Sequence, residues 1–149
     1  MLLSDTIRSV LDHKGWGIYS VSPETLVYDA VQQMADRDIG ALAVTGPRGL
    51  LGIFSERDYA RKIILLGRSS KDTTVGEVMS YPARMVAPED TIAECLRAMT
   101  VFRLRHLVVS QEGRAVGIVS VGDLVNRIMS AQEEMIGQLN SYIQGDYPG

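Results

Sequence analysis

The chain has 149 residues, 46% of them hydrophobic and 22% charged, the composition of one globular unit able to bury a core of its own. Its net charge of −3 excludes a broad nucleic-acid-binding face, which needs clustered excess Lys and Arg to release counterions from phosphates. A single cysteine, Cys95, excludes an intramolecular disulfide, and with no signal-like N-terminal segment and no apolar run of about 18 residues the expectation is a cytoplasmic protein without nucleic-acid or membrane partners.

The predicted elements come in two rounds. TIRSVL (6–11) is a lead-in helix, and after Pro23 the residues Val27, Ala30, Val31 and Met34 recur at the spacing of one helix face. GALAV (40–44) and LLGIF (50–54), short apolar runs separated by TGPRG, predict a hairpin, and a further helix begins near Ser55. GRSSKDT (67–73) is the joint. TVGEVM (74–79) then repeats the lead-in, Ile92, Cys95, Leu96 and Met99 repeat the helix, HLVV and AVGIV repeat the hairpin around SQEGR, and a helix begins again near Ser120.

Sliding the chain by 65 aligns the two rounds without a gap. Val21, Pro23, Glu24, Met34, Leu42, Val44, Gly52, Ile53, Ser55, Asp58 and Ile63 meet identical residues, eleven identities over the 44 positions 21–64. The lead-ins are displaced by 68 instead. The predicted organisation is a lead-in helix and first repeat over 1–66, a linker over 67–73, a second repeat over 74–130, and a C-terminal helix and tail over 131–149. One such unit has little core alone, whereas two packed sheet to sheet with pseudo-two-fold symmetry bury both exposed faces. The fold class is α/β of the α+β kind, two βαββα repeats.

GIFSERD (52–58) and GIVSVGD (117–123) are the most specific repeated stretches. Ser55 with Asp58, and Ser120 with Asp123, fit a capping box that ties off a helix N-terminus. The same end is an anion site, where a hydroxyl donates to a phosphate oxygen and a carboxylate one turn on accepts from ribose hydroxyls. Gly52 and Gly117 would let a base or sugar approach the backbone.

This repeat order, with G-h-x-S/T-x-x-D (h apolar) after the third strand, resembles a tandem pair of cystathionine-β-synthase (CBS) domains, a Bateman module, over roughly residues 6–130. The resemblance implies ligand clefts between the repeats, with Asp58 and Asp123 on ribose and Ser55 and Ser120 on phosphate. It also implies phosphate-contacting basic residues just before the second strand, making Arg103, Arg105 and His106 candidates. The plain alternatives are solvated basic residues at a corner and a core histidine. The repeats differ in charge: Arg57, Arg61 and Lys62 align with Gly122, Asn126 and Arg127, and Arg103 to His106 align with Asp38 to Ala41.

Cys95 sits on an apolar helix face and reads as core. His13 and His106 lack partners at zinc-ligand spacing, and no Walker loop or hydrolytic triad can be assembled, so no metal site and no enzyme is expected. The sequence leaves a regulatory, signal-transducing module that binds AMP, ADP, ATP or NAD(H) and acts on an unknown protein, or a scaffold whose clefts are vestigial. Met129, Ala131 or Gln132, Met135, Ile136, Leu139 and Ile143 continue a helical stripe to a stop at Gly145. That stripe either packs on its own module or joins a second subunit in a homodimer.

Overall fold

The structure, a computed structural model, describes residues 5–143, with side chains described to Ser141. A lead-in helix α1 (Ile7–Lys14) precedes β1 (Ser20–Val21), α2 (Val27–Arg37), β2 (Ala41–Gly46), β3 (Gly49–Ser55) and α3 (Glu56–Tyr59), which runs on as one π-helical turn over Ala60–Ile64. A second lead-in helix α4 (Val75–Val78) precedes β4 (Met85–Val86), α5 (Ile92–Phe102), β5 (His106–Gln111), β6 (Arg114–Ser120) and the long α6 (Val121–Ile143). Each repeat is the predicted βαββα unit.

The repeat extends to hydrogen-bond register. β1 lies parallel to β2 and β2 antiparallel to β3, and β4, β5 and β6 follow the same order. Ala41 pairs with Ser55 as His106 pairs with Ser120, and both hairpins shift register at matching places, Val44/Thr45 and Val109/Ser110. α2 and α5 both end on a left-handed residue, Asp38 (φ 53°) and Arg103 (φ 54°), which turns the chain sharply into the next strand. A matching contact swaps its chemistry: the Arg37 guanidinium lies over Tyr19, whereas Arg84 lies over Phe102.

The lead-in helices do not pack on the repeats that follow them. Ile7, Val10 and Leu11 of α1 are buried with Ile92, Cys95, Met99, Leu107, Val119 and Leu124 of the second repeat. Val75 and Val78 of α4 are buried with Val27, Met34, Leu42, Phe54 and Ile63 of the first. Backbone bonds fix the exchange: Ile7 N–H donates to Asp90 O and Ile92 N–H to Asp5 O, as Val27 N–H donates to Thr73 O and Val75 N–H to Thr25 O. Boundaries near residues 66 and 74 thus divide the sequence copies but not the cores. Each core borrows a helix from the other copy.

β2 and β5 are buried on both faces. Leu42 and Val44 point into one core and Leu107 and Val109 into the other, while Ala41, Ala43 and Val108 on the opposite faces are also buried. A three-stranded sheet achieves this only with a further layer over it.

α6 crosses the expected boundary at 130 without a break. Leu124 enters the core, but Met129, Met135, Ile136 and Leu139 are each more than half exposed, so among the described residues the stripe does not pack on its own module. The Ile143 side chain and Gly145 lie outside the described residues.

Candidate functional site

Because the copies exchange their entry segments, each motif faces residues of the other repeat. The first cleft, about 800 Å³, lies between Ser55–Lys62 and Phe102–His106. Five basic side chains line it, Arg57, Arg61, Lys62, Arg103 and Arg105, against two acidic ones, Glu56 and Asp58. Arg57 Nη1 donates to the Arg103 carbonyl oxygen at 2.6 Å and ties the two repeats together.

Ser55 and Asp58 form the capping box. Asp58 N–H donates to Ser55 Oγ at 3.2 Å, and Asp58 Oδ2 accepts from Ser55 N–H at 3.0 Å and from its hydroxyl at 3.1 Å. Oδ1 accepts from Ser80 Oγ at 2.8 Å and pairs with Lys62 Nζ at 3.1 Å. The side chain is only 8% exposed. It is buried yet fully partnered, which is how a protein keeps a charge inside.

The second cleft, about 520 Å³, lies between Ser120 and Asp123 on one side and Asp38–Ala41 on the other. Ser120 and Asp123 repeat the capping box, with Ser120 N–H donating to Asp123 Oδ2 at 2.8 Å and Asp123 N–H to Ser120 Oγ at 3.1 Å. The partner of Asp123 comes from α1: Lys14 Nζ donates to Asp123 Oδ2 at 2.6 Å and to Ile118 O at 2.5 Å. The stretch after Lys14 lines the cleft with Trp16 and Tyr19, carried on Gly15 (φ 112°) and Gly17 (φ 121°), a backbone conformation suited to glycine.

His106 lines both clefts. A Cβ at Gly40 would lie 3.4 Å from the His106 Nε2, an ordinary contact, and 2.9 Å from Glu56 Oε1. Burial, and then the Lys14 ammonium, push the His106 pKa below the usual 6.5, with Asp123 and Asp58 opposing and Arg105 assisting.

Of the predicted site residues, Ser55, Arg57, Asp58, Arg61, Arg103, Arg105 and His106 converge on the first cleft, and Ser120, Asp123 and His106 on the second. Gly52 and Gly117 line neither. At Gly52 a Cβ would run into the Ser80 carbonyl, and at Gly117 it would lie 2.8 Å from Leu11 Cδ2. This corrects their expected role: the glycines admit the crossing segments of the other copy, not a base or sugar. Lys14, Trp16, Tyr19 and Ser80 escape a reading of either repeat alone, although the lead-in's displacement of 68 against 65 marks these entry segments as the place where the repeats diverge.

Among the described residues no group of three His, Cys, Asp or Glu converges as metal donors, and no helix is long and apolar enough to cross a membrane.

The family model named CBS domain matches residues 16–65 and 75–130. The chain is 40% identical to CBS domain-containing protein CBSX3, mitochondrial, of Arabidopsis thaliana, over 97% of this chain and 74% of that protein. Among solved structures, it superposes with a TM-score of 0.81 at 42% identity on a CBS-domain protein of Burkholderia ambifaria MC40-6 whose name proposes signal transduction, over 85% of this chain and 96% of that one. It also matches a hexameric CBS-CP12 protein from bloom-forming cyanobacteria, with a TM-score of 0.69 at 27% identity, over 73% of this chain and 64% of that one.

Proposed function

The chain belongs to the CBS-domain family, a tandem pair in one polypeptide, and on that premise we propose that it is a non-enzymatic sensor whose first cleft binds an adenosine nucleotide. One observation carries the reading: basic side chains from both repeats, Arg57 and Arg61 from one and Arg103 and Arg105 from the other, face a single cleft beside the capped Ser55. A phosphate group held there is bonded to both repeats at once and draws them together. AMP, ADP, ATP and NAD(H) share the needed chemistry, and the surplus of cations favours the ligands with more than one phosphate. Ser80 Oγ already donates to Asp58 Oδ1, which is the bond a ribose hydroxyl would make in its place.

The signal leaves through assembly. Met129, Met135, Ile136 and Leu139 expose a stripe along α6 that a second copy would cover, and a relative forms hexamers. We read the unit as a homodimer acting on a further protein. A buried cysteine with no disulfide partner suits a reducing interior, whether cytoplasm or, as the Arabidopsis relative's name has it, a mitochondrion.

The full engagement of Asp58 favours a second reading, a scaffold with vestigial clefts. Thermal melting separates them, since a ligand at 100 times its Kd adds about 2.7 kcal/mol. A rise with ADP, ATP or NAD(H) supports the sensor, and no rise with any adenosine ligand leaves the scaffold.

A further inference from the structure

Of the five positions that place a cation around the first cleft, four are matched, 65 residues away, by positions that place none around the second, and the fifth, Lys62, is matched by Arg127, which pairs with Asp5. Arg57 corresponds to Gly122, Arg61 to Asn126, Arg105 to Gly40, and Arg103 to Asp38, a reversal of charge at the same left-handed corner. Among the described residues Lys14 is the one Lys or Arg that lines the second cleft, facing Asp38 and Asp123, and its ammonium already serves Asp123 and the Ile118 carbonyl, while the guanidinium groups of Arg8 and Arg37 lie over the rings of Trp16 and Tyr19. What this cleft adds is aromatic surface, Trp16 and Tyr19, with the indole held in place by its N–H bond to Asp12 at 2.7 Å.

We infer that the two clefts take different ligands: the first a nucleotide with a di- or triphosphate, the second an adenosine-type nucleoside with no phosphate. This rests on the nucleotide reading of the first cleft. A polyphosphate in the second would face two carboxylates, with the Lys14 ammonium already paired, and a like-charge contact of that kind disfavours the wrong partner. A nucleoside brings a flat base to the aromatic wall and hydroxyls to the carboxylates at no charge penalty.

Trp16 is the chain's only tryptophan and lines the second cleft alone, so its emission reports that cleft. Adenosine and ATP are titrated separately while tryptophan emission, corrected for ligand absorbance, and melting temperature are both recorded. Adenosine is expected to change Trp16 emission, and ATP to raise the melting temperature with emission unmoved. Asp38→Arg copies the charge of Arg103 at the matching corner, where this chain already holds an arginine in the same backbone conformation. It should make emission respond to ATP at the concentration that leaves the parent's emission unmoved, with a weaker response from Asp38→Asn. An emission change with ATP in the parent at the concentration that raises its melting temperature, or none with adenosine, overturns the inference while the first cleft's assignment stands. If neither ligand moves either signal, both fall.

Discussion

Lys14 and Asp123 lie 109 residues apart in sequence, yet the Lys14 ammonium sits 2.6 Å from the Asp123 carboxylate. In the first repeat the matching carboxylate, Asp58, is held by Lys62 of its own helix turn and by Ser80. One motif is therefore closed deeply, by a lysine of its own turn and a serine of the other copy's entry segment, the other by a lysine contact that solvent reaches.

Asp58→Ala and Asp123→Ala should separate on stability. Removing Asp58 takes the acceptor from part-buried Ser80 and opens the capping box, at a cost of roughly 2–4 kcal/mol, while Lys62, 38% exposed, keeps the Val78 carbonyl. Lys14 and Asp123 are 37% and 23% exposed, so screening holds the loss at Asp123→Ala to about 1 kcal/mol beyond its cap. Urea unfolding of the two variants measures the difference, and equal midpoints would contradict it.

The glycines should differ in the same way. Gly52→Ala drives a methyl into the Ser80 backbone, which is pinned by mutual bonds between Ile53 and Ser80, and should cost roughly 1–3 kcal/mol. Gly117→Ala meets the end of the Leu11 side chain, which can turn aside, and should cost less. Melting temperatures rank the two. A milder Gly52→Ala would show that Ser80 does not hold its place.

Much of this architecture is legible in the sequence, and what is not has a physical cause. The spacing of Val27, Ala30 and Met34, and of Ile92, Cys95 and Met99, marks helix faces that are all buried, because a 3.6-residue period is a local property. The same spacing in Ile7, Val10 and Leu11 says that α1 needs a core but not which one, and the exchange depends on contacts more than 80 residues away. Once that crossing is missed, Lys14, Trp16 and Tyr19 are missed with it. Gly52 shows the converse: a glycine signals close approach, but its neighbour is a carbonyl of the same chain.

Acid should weaken the fold through His106. Burial and Lys14 hold its pKa below 6.5, so as pH falls the unfolded chain takes up the proton first and the native state is disfavoured. Stability from this source is complete above about 6.5 and is lost as pH falls below it. The lowered carboxylates of Glu77 and Glu89 act only in a more acid range, below their usual 4.5. His106→Gln should flatten the pH dependence of the melting temperature just below 6.5, and an unchanged slope would rule His106 out as its source.

Leu139→Glu tests the outer face of α6. Leu139 is 56% exposed within one chain, so the substitution costs little in a monomer but places two like charges near a two-fold axis. Light scattering should give a parent of twice the 16.3 kDa chain and a variant shifted toward one chain. A parent of single-chain mass removes the dimer, and a variant that stays dimeric removes this part of α6 from its interface.

The most direct test of the nucleotide reading is a calorimetric titration of ADP into the parent and into Arg103→Ala/Arg105→Ala, which removes the guanidinium groups that the second repeat lends to the first cleft. Charge-assisted hydrogen bonds are worth about 1.5–3 kcal/mol each, so the variant should bind ADP at least about ten-fold more weakly while keeping its fold. ADP binding in the parent with that loss is the predicted result, and no binding in the parent, or equal affinity in the two proteins, would contradict it.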